Sequence, residues 1–309
     1  MNWLTWALIA LLFLLLSTVV VSVGIYTVLL TRLRPKKWGR GPSMPGDQEY
    51  DELYRQAEAW RDEHLSAMRE VNVENDGLQL YGEYFDFGHD KAVIIIPGRM
   101  EACHYSCHYG EPYRKAGYNV LTVDGRAHGR SEGKINSLGY MEYRDILAWA
   151  KMLNEKENIR DIVLHGVCIG SSTAVFCAAA PECPEYVRGI VVDGLYQRFY
   201  DSCRNHMIHD GRPLYPFMAE LTVLIRLFSG ADVVHDGPKW RIKDVRRPIL
   251  FLHSRTDKFS TPDKAQELYD LCPSENKTIC WFEDAWHSRV RLKYTDRYDQ
   301  AVTGFLNKL

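Results

Sequence analysis

A mostly parallel, doubly wound α/β sheet is the fold class predicted for this 309-residue chain, and three observations predict it. Short apolar runs recur at 93–96, 120–123, 162–164, 190–192, 249–252 and 279–282. Helical stretches separate most of them. One run passes directly through a glycine-flanked turn into a helix, at 165–172. A strand buried on both faces is apolar throughout, where a half-exposed one alternates, and helices between successive runs supply the crossovers that parallel pairing needs.

Composition narrows the function classes. The chain is 46% hydrophobic, enough for one large domain with a sizeable core. A net charge of −2 offers no general attraction to phosphate backbones, and no basic stripe with interleaved aromatics stands outside the N-terminal flank, so nucleic acid is not an expected partner. Eight cysteines are scattered, several inside expected buried elements. A reducing compartment fits that scatter better than a disulfide scaffold does, although an even count leaves disulfides open.

From the N-terminus, residues 3–30 are uncharged and mostly apolar, long enough to cross a hydrocarbon core that takes about 20 helical residues. No Lys or Arg precedes the run and no convincing cleavage site ends it, so an uncleaved anchor is expected over a signal peptide. Arg32, Arg34, Lys36, Lys37 and Arg40 follow. Positive flanks stay on the cytoplasmic side, which predicts a single-pass protein with its catalytic domain facing the cytoplasm. The division expected is 1–34 for the anchor and basic flank, 35–68 for a linker and amphipathic helix, and 69–309 for the main domain. Within 48–68, Leu53, Ala57, Trp60, Leu65 and Met68 recur near helical spacing and mark a helix that packs on the domain.

The core opens on a hairpin, 69–73 and 78–85 around Asp76 and Gly77. Helices are expected at 140–153, 171–180, 262–271 and 295–306. The segment 195–245 is longer than an ordinary crossover and predicts a small helical cap over the carboxyl edge of the sheet, where it would shape a substrate pocket.

Chemistry concentrates at His165-Gly166-Val167-Cys168-Ile169-Gly170-Ser171-Ser172. Strand, tight turn and helix in that order form the context of a nucleophile elbow, with cysteine where the pattern has serine. Side chains at 166 and 170 would collide as the chain reverses, and the turn pushes the central side chain outward. The positive end of the following helix favours a thiolate at Cys168. Asp257 follows the run 249–252 and His287 follows 279–282, each on a loop at the carboxyl end of a strand. Nucleophile, acid and histidine thus stand in the order of a hydrolase triad.

With these residues in place the sequence resembles the α/β-hydrolase superfamily over about 69–309, in particular a membrane-anchored serine-hydrolase-like branch. Ile96-Pro97-Gly98-Arg99 resembles the family's oxyanion loop, with proline for the usual histidine. Asp124-Gly125-Arg126-Ala127-His128-Gly129-Arg130-Ser131 is similar to its D-x-R-G-H-G-x-S run, and 139–145 to the helix start after it. The resemblance assigns that run, His128 included, to a structural loop. Cysteine at the elbow resembles dienelactone hydrolases, a minority, so serine-type activity does not transfer directly.

The chemistry expected is attack by Cys168 on an ester or thioester carbonyl, with His287 handling the proton and Asp257 orienting the imidazole. The backbone N–H groups of Ile169 and of Arg99 or Met100 are the candidate oxyanion donors. Losing one such donor costs about 3 kcal/mol of transition-state stabilisation. Ser171 and Ser172 fall inside the helix and are expected to pack. Cys103, His104, Cys107 and His108 repeat at i,i+4 beyond Gly98, near the expected substrate entrance. One helix face cannot aim four ligands at one point, and no second half-site exists, so no metal and no cofactor is expected. Asp193 is expected to serve a loop hydrogen bond, with an electrostatic effect on the site as the alternative. The partner expected is a small acyl substrate, and anchoring points to a lipid-derived one. The rival is a silent binding or scaffold protein, and acyl transfer shares the same acyl-enzyme.

Overall fold

A computed structural model describes residues 2–32, 47–99 and 101–309. Helix α1, Trp3–Leu30, precedes α2, Gln48–Glu63. The core opens with β1, Met68–Asn75, and β2, Leu78–Phe85, joined through Asp76 and Gly77 at φ 51° and 72°. Two successive positive φ values make the tight turn that suits hairpin twist, and Asp-Gly tolerates them.

Next come β3, Lys91–Ile96, the short helices α3, Cys103–Ser106, and α4, Glu111–Lys115, then β4, Asn119–Val123, and α5, Glu142–Glu157. The elbow region holds β5, Asp161–Val167, α6, Ile169–Ala179, and β6, Val187–Asp193. Helices α7, Phe199–His209, α8, Phe217–Ser229, and α9, Pro238–Arg241, fill the long crossover. The chain closes with β7, Ile249–Ser254, α10, Pro262–Leu271, β8, Lys277–Phe282, α11, Val290–Lys293, and α12, Thr295–Leu306.

The eight strands form one sheet in the order β1-β2-β4-β3-β5-β6-β7-β8. Pairings of β2 with β1 and β4 are antiparallel, and every later pairing is parallel. Alternate residues of each parallel strand feed opposite layers. Ile94, Leu164 and Ile190 pack with Trp149, Leu153 and Val175. On the other face Val93, Val163, Leu250 and Leu252 pack with Trp60, Tyr113, Tyr298 and Val302. Because the nucleophile, acid and histidine loops all leave carboxyl ends of β5, β7 and β8, the parallel order brings them to one rim.

Two sequence expectations shift here. The amphipathic helix stops at Glu63, and 65–67 form a 3-10 turn before Met68 enters β1. The expected helix through Cys103 to His108 breaks after Ser106 into a 3-10 turn, so the i,i+4 face does not persist.

Helix α1 is apolar enough and long enough to cross a membrane. Its carboxyl half is docked on the domain. Thr18 Oγ1 and Ser22 Oγ donate to the two oxygens of Glu220 on α8 at 2.8 and 2.6 Å, and the Tyr26 and Phe228 rings meet at 5.4 Å. Val223, Leu227 and Phe228 of α8 remain exposed. Past the helix, Arg32 donates to the carbonyls of Ser131 and Gly129. Arg34, Lys36, Lys37 and Arg40 lie outside the described residues.

Candidate active site

Cys168 occupies φ 54°, ψ −110°, between the end of β5 and the first residue of α6. A positive φ at a non-glycine residue is costly, and the surroundings must hold it. They do so through backbone bonds: Cys168 N–H donates to the Asp193 carbonyl at 2.9 Å, while Ser171 Oγ donates to the carbonyls of Gly166 at 2.6 Å and Asp193 at 2.8 Å. Ser171 is therefore a staple of the turn, buried and committed.

The two flanking glycines are needed for space. A Cβ on Gly166 would lie 2.1 Å from the Gly170 carbonyl oxygen, and one on Gly170 would lie 2.1 Å from that of Ile96. Helix propensity alone favours Gly→Ala by about 1 kcal/mol. The clash reverses that sign, and Gly170→Ala is expected to lower stability by about 2–4 kcal/mol in urea denaturation.

Asp257 and His287 meet as the chain order predicts. Asp257 Oδ2 accepts from His287 Nδ1 at 2.7 Å. Its Oδ1 accepts the N–H groups of Phe259 and Ser260 at 2.8 and 2.9 Å, so both oxygens are used. Burial pushes the Asp257 carboxyl up, yet the His287 charge and these bonds outweigh it and hold the pKa below the ordinary value. For His287, burial opposes charge, but Asp257 and the nearby Cys168 sulfur carry its pKa well above the usual imidazole range. Its buried Nε2 has no hydrogen-bond partner among the described residues and remains free to exchange a proton. The ring packs tightly, since a Cβ on Gly194 would meet His287 Cε1 at 2.9 Å.

The expected oxyanion loop lies beside the elbow. Gly98 N–H is engaged by Glu101 Oε2 at 3.1 Å, and Tyr50 of α2 donates to Glu101 Oε1 at 2.7 Å. The Arg99 carbonyl is held by His128 Nε2, whose Nδ1 contacts the Arg126 carbonyl at 3.0 Å. Among the described residues, neither Arg99 nor Ile169 spends its N–H on a carbonyl or side chain. Met100 lies outside the described residues.

The run at 124–131 is structural in its contacts. Asp124 accepts from the N–H of Cys103 at 2.8 Å and of Arg130 at 2.6 Å, and Arg126 forms a buried two-point pair with Asp145 at 2.5 and 2.7 Å. His128 thus acts on the site through the Arg99 carbonyl.

Cys103 and Cys107 are buried away from any entrance. Cys103, His104 and Glu83 cluster closely enough to suggest a cation site, yet Arg61 already spans both Glu83 oxygens at 2.7 and 3.0 Å. Of the two uses open to this segment, pocket lining and ordinary packing, Cys107 takes the second, packing against Ala57 and Trp60 of α2.

Several neighbours of the triad carry no sequence signal. His206 of α7 stacks on Phe259 with centroids 3.5 Å apart, and the Phe259 edge meets His287 at 5.7 Å. Burial pushes His206 down to about 4, helped by the charges of His287 and Arg99. Tyr196 is buried beside Cys168 and Ser172. Asp193 exceeds its expected loop role: it is fully buried, accepts from Tyr298 at 3.0 Å, and is pushed up to about 7 by that burial.

Comparison with known proteins agrees with this architecture. The family described as alpha/beta hydrolase fold matches residues 91–208, and that described as serine aminopeptidase S33 matches 225–291. The chain belongs to the α/β-hydrolase superfamily. A Pyrococcus furiosus esterase, Pf2001, aligns with a TM-score of 0.68 at 24% identity over 80% of this chain and 93% of its own. A serine hydrolase of Cycloclasticus zankles aligns at 0.58 and 14% identity, over 78% and 98%.

An uncharacterized protein of Bacillus subtilis is 26% identical over 219 residues, 70% of this chain and 71% of its own length. An uncharacterized membrane protein of Saccharomyces cerevisiae is 23% identical over 194 residues, 63% of this chain and 62% of its own.

Proposed function

We propose that the protein is a membrane-anchored hydrolase that cleaves esters or thioesters through Cys168, His287 and Asp257. The observation that carries this reading is the buried Asp257–His287 hydrogen bond beside a cysteine held at φ 54° in a strand-to-helix turn. In this mechanism the Cys168 thiolate attacks the acyl carbon, and the carbonyl π pair moves onto oxygen. N–H groups of Ile169 and Arg99, or Met100, receive that oxyanion. Its collapse expels the alkoxide or thiolate, which takes the proton from His287 Nε2. Water then loses a proton to the same nitrogen as it attacks the thioester, returning the acid and the Cys168 thiolate.

Residues 1–34 serve as anchor and flank, 35–68 as linker and packing helix, and 69–309 as the catalytic domain with a cap near 195–245. A 28-residue helix is about 42 Å long, against roughly 30 Å of hydrocarbon. The docked stretch of α1 from Thr18 to Leu30 is about 20 Å long, more than the excess of about 12 Å, so the exposed apolar face of α8 beside it is brought to the bilayer surface, which favours an acyl substrate drawn from it. The basic flank puts the domain on the cytoplasmic side. Alkaline carbonate extraction is expected to leave the full chain with the membranes, and its release into the supernatant would remove the anchor from the proposal.

The activity is tested with a panel of short-chain p-nitrophenyl esters and acyl thioesters. Turnover abolished by one equivalent of iodoacetamide is expected. A chain that turns over none of them and forms no acyl adduct is the silent scaffold instead.

A further inference from the structure

We propose that the Arg99 side chain binds an anionic group of the substrate, a carboxylate or phosphate close to the scissile carbonyl, a reading that rests on the Cys168 site being the place of reaction. Arg99 stands in the loop whose backbone faces the elbow, and its side chain extends beneath the cap, where Cys203 and His206 of α7 lie within reach of its charge. Nη1 is buried and has no hydrogen-bond partner among the described residues. No ion pair engages Arg99 among them either, whereas Arg61, half-buried like Arg99, and the more deeply buried Arg126, Arg289 and Arg291 each hold a carboxylate. Residues outside the described set do not change this, because 33–46 and Met100 include no Asp or Glu.

The nearby carboxylates are committed elsewhere. Asp257 spends both oxygens on His287 and two backbone N–H groups. Glu101 spends its own on Tyr50 and Gly98. Asp210, the remaining acid near His206, pairs with Arg212 at 3.1 Å. A buried guanidinium nitrogen with no acceptor is a cost the fold ordinarily avoids, and it is met when a ligand brings the acceptor. The planar fork suits two oxygens of one carboxylate or phosphate. His206, neutral beside Arg99, offers no competing negative charge.

A bound anion here sits on the cap side of the reacting carbonyl. It would orient the acyl carbon toward Cys168 and select substrates by charge. The two anions are separated by two arms, each measured against a neutral, methyl-capped isostere: p-nitrophenyl hydrogen glutarate carries a carboxylate on the acyl side, and 2-acetoxyethyl phosphate carries a phosphate on the alcohol side.

With full-length protein in neutral detergent, at least one anionic ester is expected to exceed its isostere about tenfold in kcat/KM. Arg99→Gln brings that ratio to near one whatever happens to the separate rates, and Arg99→Lys, which keeps charge without the fork, retains part of it. A ratio near one for both pairs in the native protein, or a ratio unchanged by Arg99→Gln, overturns the proposal. Calorimetric binding of hydrogen glutarate monomethyl ester and of 2-acetoxyethyl phosphate to Cys168→Ala, with and without Arg99→Gln, reads the same contact without turnover. At least a tenfold weaker Kd on losing Arg99 is expected for one ligand. Equal binding, or binding of neither, overturns it. Detectable binding with no turnover of any ester would instead strike the Cys168 mechanism and leave the anion site standing.

Discussion

Cys168→Ala is expected to lower kcat for ester cleavage by about 10⁴-fold or more, since residues of such a relay act as one unit and removing the nucleophile removes covalent catalysis altogether. The loss is chemical and not structural. Cys168 is half-buried at the rim, and alanine at φ 54° pays the same backbone strain, so melting is expected to shift by only a few degrees. Cys168→Ser gives the sharper comparison. The elbow staples, the Asp257–His287 pair and the N–H groups of Ile169 and Arg99 all persist, so measurable ester cleavage by the serine form is expected. Steady-state assays of the three proteins on one ester check both outcomes, and full turnover by the alanine form rules Cys168 out as nucleophile.

His287→Gln is expected to slow acylation about 10²- to 10⁴-fold, the usual share of a positioned acid or base. A thiolate remains nucleophilic without it, which places this loss below that of the alanine variant at 168. The same variant changes how stability responds to pH. His287 has its folded pKa raised by Asp257 and the sulfur, so its contribution is fully present below the unfolded value of about 6.5 and fades as pH rises through the folded one. Asp257 is depressed, so its contribution is present above about 3.9 and fades as pH falls through the folded value. The stability difference between native protein and His287→Gln is therefore expected to be largest between about pH 4 and 6.5, and smaller at strongly alkaline pH. Urea denaturation at pH 5.5, 7 and 9.5 measures it; a difference that grows toward pH 9.5 contradicts the assignment.

The parts legible in the sequence are those whose cause is local. Asp76-Gly77 specifies its own turn, the two-sided burial of β3 to β7 shows as unbroken apolar runs, and Gly166 and Gly170 mark a reversal too tight for a Cβ. Asp257 and His287 were legible because loops after parallel strands all open at one rim, whatever their separation along the chain. Long-range contacts left no such trace. Nothing in the spacing of Thr18 and Ser22 announces Glu220, and Arg99 reads as an ordinary loop cation until the carboxylates around it are known to be committed to other partners. The helix expected through Cys103 to His108 failed because the turn is short and fixed by Asp124 accepting the Cys103 N–H, a tertiary contact that overrides local spacing. Asp193 was underestimated for the same reason, its partner Tyr298 lying 105 positions away.

Mass-spectrometric mapping of the acyl group trapped from a slowly turned-over activated ester, quenched in acid, tests the sulfur–imidazole–carboxylate relay most directly. The account predicts one acyl group per chain, on the peptide containing Cys168, lost on hydroxylamine treatment and absent from Cys168→Ala. Acyl label on Ser171, Ser172 or another cysteine, or label undiminished in Cys168→Ala, would contradict it.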